Sequence, residues 1–127
     1  MPVVKRSRYP YTETISRLVK TITDGGNTIF AVIDQAAAAR TAGLTLRPTT
    51  LIVFGNPKGG TLLMDAFPPI ALDLPLKLLV WQDGDSVSVA YTPADEIAAR
   101  YDVTGKDALV TTMDAALSAL SDSVGSA

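Results

Sequence analysis

Two apolar runs, Leu76 to Trp81 and Ser86 to Tyr91, are held apart by Gln82-Asp83-Gly84-Asp85. An Asp-Gly pair between such runs is a strong hairpin signal, because Gly takes the positive φ that a tight turn needs. A hairpin joins antiparallel strands, whereas parallel strands need long crossovers. This feature steers the chain toward an antiparallel sheet with helices packed on it, and away from a doubly wound parallel fold.

The remaining pattern supplies the other elements. Val3 to Arg8 reads as a first strand, interrupted by Pro10. Ile15, Leu18, Val19 and Ile22 fall at i, i+3, i+4 and i+7, one face of a helix. That spacing predicts a helix over Thr12 to Asp24, with Thr12 as N-cap and Gly25-Gly26 as its stop. Thr28 to Ile33 is β-branched and aromatic, hence a strand. Asp34 then caps a short helix, Gln35 to Ala42. Thr50 to Phe54 is apolar enough to be a central strand. Thr61 to Ala66 reads as a helical turn that Pro68-Pro69 ends. Thr92-Pro93 opens a helix over Ala94 to Tyr101. Asp107 to Leu120 forms the last helix, with Ser121 to Ala127 as a frayed tail. The expected fold is α+β: an antiparallel sheet of about five strands, its two main helices on one face.

Length and composition bound what such a fold does. With 127 residues the chain is read as one domain, 1–127, with a sizeable core. A hydrophobic fraction of 47% and mean hydropathy of +0.24 argue against disorder. A net charge of −2 argues against nucleic acid as a partner, and Lys5-Arg6-Arg8 is a small basic cluster suited to solvating a strand edge. There is no Cys and no His. Disulfides, thiolate metal sites and Ser–His–Asp or Cys–His catalysis within one chain are thereby excluded. No metal and no cofactor is expected. Met1 to Arg8 lacks the apolar core of a signal peptide, and no run reaches the ~20 apolar residues that span a bilayer. A cytoplasmic location away from membranes is the expectation.

One stretch stands out as a candidate site: Gly55-Asn56-Pro57-Lys58-Gly59-Gly60-Thr61, directly after an apolar strand. Its outer glycines have P-loop spacing. Thr61, however, stands where the lysine belongs, and Leu62 replaces the magnesium-binding Ser or Thr. ATP hydrolysis is rejected on those grounds. The N–H groups of Gly59, Gly60 and Thr61 remain candidates for an anion cradle at a helix start, with Lys58 nearby. The competing reading is a structural turn that needs Gly and Asn-Pro. Asp34 and Gln35 end a strand, a common place for functional groups, but an ordinary N-cap explains Asp34. Asp65 and Asp73 flank the proline pair and are read as surface carboxylates. Trp81, Tyr91 and Met64 are read as packing residues.

A family resemblance rests on these residues. Phe30-Ala31-Val32-Ile33-Asp34-Gln35, Ala42-Gly43-Leu44, Pro48-Thr49, Phe54-Gly55-Asn56-Pro57, Gly60-Thr61, Met64 and Leu72-Asp73-Leu74-Pro75-Leu76 resemble the DUF302 family of small bacterial and archaeal proteins. The similarity runs from about Thr14 to Tyr91. It implies a β-α-β(4)-α fold of TATA-binding-protein-like shape, here with short inserted helices, and it implies a homodimer. Family members often carry His where this chain has Gln35, so any role of that His is not available here. The family's function is unknown, and the resemblance implies no activity.

Three functional readings follow. The first is a dimeric ligand-binding or accessory protein with a polar pocket of Asp34, Gln35, Asn56, Lys58, Gly59, Gly60 and Thr61, holding a small anionic ligand. The second is a small enzyme using Asp34 or Lys58 as acid or base. The third is a structural interaction module.

Overall fold

The computed structural model describes residues 1–126. Five strands form one sheet: β1 (Val3–Arg6), β2 (Thr28–Asp34), β3 (Thr49–Gly55), β4 (Leu76–Asp83) and β5 (Ser86–Tyr91). Their order is β1-β5-β4-β3-β2, and every neighbouring pair is antiparallel. Five helices accompany them: α1 (Tyr11–Asp24), α2 (Gln35–Thr41), α3 (Pro57–Ala66), α4 (Ala94–Arg100) and α5 (Asp107–Val124). A 3-10 turn covers Pro68–Leu72. The α+β expectation holds.

The hairpin sets the register. Asp83 pairs with Ser86, so the tip is Gly84-Asp85, one residue later than the Asp83-Gly84 of the sequence reading. Gly84 has φ +60°, the conformation for which Gly was expected there. Period-two alternation then decides the faces. Ile52 and Phe54 of β3, Leu78 and Val80 of β4 and Val89 of β5 are buried, and α1 and α5 cover them with Leu18, Ile22, Leu117, Leu120 and Val124. Burying one such Leu or Ile side chain stabilises the fold by about 1.5–3 kcal/mol.

Three terminal assignments differ from expectation. Thr12 does not cap α1; Pro10 holds the cap position, and the buried Thr14 hydroxyl donates to the Pro10 carbonyl (2.9 Å). Thr92 does not cap α4 either. Asp114 reaches over from α5 and accepts the N–H groups of Ala94 (2.5 Å) and Asp95 (3.1 Å), so a carboxylate sits at the positive end of the helix. Finally, α5 runs on to Val124 instead of fraying after Leu120. Ser121 and Val124 are buried, and the Ser126 N–H donates to the Arg6 carbonyl (2.9 Å), which fastens the end of the chain to β1. Of the tail expected to fray, only Ala127 lies outside the described residues.

Candidate functional site

β3 delivers the chain to Asn56, and the Gly-rich stretch begins there. It is not a loop. Asn56 is the N-cap of α3, its side chain accepting the Lys58 N–H (3.0 Å), and Pro57 occupies the first turn. The two glycines are helical because Asn-Pro starts a helix before them, a capping signal that outweighs their low helix propensity. The Gly60 N–H donates to the Asn56 carbonyl (3.0 Å). Pro57 has no N–H, and Asn56 takes those of Lys58 and Gly60. Of the three expected cradle donors, the Gly60 N–H is therefore already taken by the chain. Lys58 and Thr61 are exposed.

What forms instead is a small, mostly apolar cavity of about 50 Å³. Phe30, Asn56, Gly60, Met64, Pro75 and Met113 line it. Each glycine has a distinct part. A Cβ on Gly59 would meet Leu109 Cδ1 of α5 at 3.2 Å, so Gly59 lets the two helices approach. A Cβ on Gly60 would lie 3.7 Å from Met64 Cε, an ordinary contact, and would occupy the cavity side of the helix. Phe30 sits where the β2–β3 register shifts, and it is 51% exposed.

Asp34 and Gln35 belong elsewhere. The register pairs Asp34 with Thr50 and Thr28 with Gly55, so Asp34 is at the opposite end of β3 from Asn56, roughly 20 Å along the strand. Asp34 caps α2 by accepting the Ala37 N–H (2.9 Å), as an ordinary N-cap does. The structure brings Asn56, Lys58, Gly59, Gly60 and Thr61 together on α3 and leaves Asp34 and Gln35 apart from them.

A second cavity, about 200 Å³, lies beside the same Leu72 to Lys77 segment. Here the polar groups hold one another. The Tyr101 hydroxyl donates to Asp73 Oδ2 (2.5 Å), and the Arg100 guanidinium lies 3.5 Å from the same carboxylate. The Tyr101 hydrogen bond, aided by Arg100, holds the Asp73 carboxyl below its ordinary range, and the same bond raises the Tyr101 phenol. Lys77 donates to the carbonyls of Asp73 (3.1 Å) and Pro75 (2.9 Å), and burial lowers its pKa. Asp73 is thus a surface carboxylate, as the sequence reading has it, but an anchored one, while Asp65 is exposed on α3. The partnership of Tyr101 and Asp73 spans 28 residues and has no local signature. Met113 was also beyond sequence reasoning as a cavity residue, since its helical spacing signals only a core position. Among the described residues no group of three His, Cys, Asp or Glu side chains is placed to hold a metal ion.

Comparisons with known proteins bear on this arrangement. A crystal structure of an uncharacterized conserved DUF302 protein from Bacillus stearothermophilus superimposes with a TM-score of 0.88, at 16% identity, over 97% of each chain. That likeness establishes the fold. A protein of Brucella suis named "Fluoride-specific ion channel FluC 1" is 45% identical over 82 residues, 65% of this chain and 32% of its own length. A protein of the same name from Brucella abortus is also 45% identical over 82 residues, 30% of its length. The chain thus spans about a third of the curated relatives it matches. No described helix is long and apolar enough to cross a membrane. The family pattern described as "Domain of unknown function DUF302" matches residues 3–120, and the chain belongs to that family.

Proposed function

We propose that this chain is a dimeric binding module whose ligand enters beside the start of α3. The observation that carries the reading is the space left at Gly60: a helical glycine facing Phe30, Met64, Pro75 and Met113 across an unfilled cavity. Helix interiors disfavour glycine by about 1 kcal/mol relative to Ala, so an unfilled glycine position beside a cavity suits a ligand that approaches the backbone. The ligand's inner end is apolar and small, since 50 Å³ is under two water volumes. Its outer end is anionic or polar and meets the Asn56 amide, while Lys58, exposed on the same helix but outside the cavity lining, attracts an anion from a distance. Gly59 contributes by bringing α5 close. Asp34 and Gln35 take no part.

Thermal-shift titration with small carboxylates bearing an apolar end, such as short aliphatic, thioether and aromatic acids, tests this. A ligand present at a hundred times its Kd stabilises the folded state by about 2.7 kcal/mol. Such a shift is expected to vanish in Gly60→Leu, which fills the cavity. In Lys58→Ala it weakens more at low salt than at high salt. A shift that survives Gly60→Leu unchanged overturns the site, and no shift with any acid class overturns the ligand assignment.

A second reading is favoured by the named relatives. In proteins called fluoride-specific channels the matching stretch is about a third of the length, so the chain is read here as an accessory part of fluoride handling, outside the pore. Cells lacking this chain but keeping their channel are expected to grow less well in fluoride. Equal growth across a fluoride series rejects that reading.

A further inference from the structure

The chain has three methionines and no cysteine. Apart from Met1, its only sulfur atoms are those of Met64 on α3 and Met113 on α5. Both side chains line the same small cavity. Methionine is a flexible side chain that fills irregular gaps in a core. Here two of them border a gap of about 50 Å³ and leave it open. The thioether end of Met64 lies at this space: its Cε would be 3.7 Å from a Cβ at Gly60, and Gly60 has none. Phe30 adds a ring to the lining and Asn56 an amide.

From this convergence we infer that the cavity is a site for a soft monovalent metal ion of the Cu(I) class, held by the thioethers of Met64 and Met113 with the Phe30 ring beside them. The inference goes beyond the binding-module reading: it shares that cavity and needs neither an acid nor a dimer. The donor set comes first. Thioethers are soft donors that select Cu(I), whereas magnesium and calcium take oxygen ligands. Zinc takes thiolate, imidazole or carboxylate, and the lining holds none of these. A closed-shell monovalent ion is satisfied by two soft donors, so no titratable third ligand is required. The volume agrees, because a bare ion is smaller than a water molecule and enters such a space without moving the core. The position sharpens the selection. The cavity lies at the start of α3, the positive end of that helix, where a cation gains nothing from the dipole. Attraction comes instead from electron donation by sulfur, with a contribution from the aromatic ring. Hard cations receive no such donation and stay in water.

Titration calorimetry of the purified chain with Ag⁺, a redox-inert probe of this ion class, in chloride-free nitrate buffer tests the site. Saturable binding of one Ag⁺ per chain is expected. It is expected to be equal at about pH 5 and about pH 8, because a thioether has no proton to lose, unlike the other protein ligands of metals. Zn²⁺ is expected to give no binding. Met64→Leu and Met113→Leu are volume-conserving swaps that a core tolerates. Each is expected to weaken Ag⁺ binding about tenfold or more, and the double variant to abolish it. The double variant keeps the cavity, so the thermal shift with small carboxylates survives in it, and the two readings fail separately. Met1 also remains there, so Ag⁺ binding that persists in the double variant belongs to Met1 or to surface carboxylates and overturns the inference. Absent Ag⁺ binding by the unmodified chain overturns it as well, as does binding lost at about pH 5 or matched by Zn²⁺. Should the leucine variants fail to fold, carbon-13 spectra of the methionine methyls in the unmodified protein decide. Two of the three resonances are then expected to shift together with Ag⁺, and movement of one or none overturns the site.

Discussion

The segment from Asp73 to Lys77 separates two regions that use the same backbone differently. Leu74, Pro75 and Leu76 turn into the apolar cavity, while Asp73 and Lys77 turn into the polar one. On the polar side each charge has a partner within the chain. Tyr101 and Arg100 hold Asp73, and backbone carbonyls hold Lys77. On the apolar side a small volume is left without atoms, although close packing is the rule in protein interiors. The larger cavity is therefore a brace, because a ligand entering it would have to displace hydrogen bonds already made. The smaller one is where the proposed ligand would enter, since filling it displaces none of these bonds.

The comparison breaks most visibly at Leu76. This side chain is 7% exposed and part of the core, so Leu76→Ala is expected to lower stability by about 2–5 kcal/mol in urea unfolding. A loss near zero would mean that the apolar side does not belong to the folded core. The polar brace gives a smaller effect. Tyr101→Phe removes one charge-assisted hydrogen bond at a partly exposed site, and a loss of stability well below that of Leu76→Ala is expected at neutral pH. Its pH dependence identifies the partner. Asp73 is held below its ordinary value of 3.8, so its contribution is complete above that value and is lost as pH falls through the lower folded value. Acid unfolding of Tyr101→Phe should consequently show a weaker slope below pH 3.8 than that of the unmodified protein. Identical slopes would assign the brace to Arg100 alone. The smallest effect, and one of opposite sign, belongs to Gly60→Ala. Its Cβ meets only Met64 Cε at an ordinary distance, so melting is expected to hold or to rise by up to about 1 kcal/mol of stability. A structural turn that needs Gly, the competing reading of this stretch, would instead be damaged at this position. A drop in melting temperature on Gly60→Ala would restore the loop-like reading.

Much of the architecture was legible in local pattern. The Asp83-Gly84 signal required an antiparallel pair, and the i, i+3, i+4, i+7 spacing of Ile15, Leu18, Val19 and Ile22 required a helix with one buried face. Both arise from short-range geometry, which neighbouring residues fully specify. The Gly-rich stretch misled for a related reason. Two glycines suggested a loop, but Asn56 and Pro57 together make a helix start, and capping outweighed propensity. α4 shows the limit of local capping: Thr92-Pro93 has the right form, yet the carboxylate at that helix end comes from Asp114, on α5.

Sequence by itself determined the strands, the main helices, the family and the exclusion of His- and Cys-based chemistry. Tertiary structure alone decided which of the singled-out residues meet. Asp34 ends β2 and Asn56 follows the end of β3, and the sequence reading groups them in one pocket, but antiparallel pairing puts those two strand ends at opposite sides of the sheet. Met113 and Phe30 are 83 positions apart and line one cavity, and Tyr101 finds Asp73 across a sheet-and-helix connection. The physical reason is that local conformation depends on a handful of adjacent dihedrals. Contacts between distant residues depend on how whole elements pack, and no single residue's spacing carries that information.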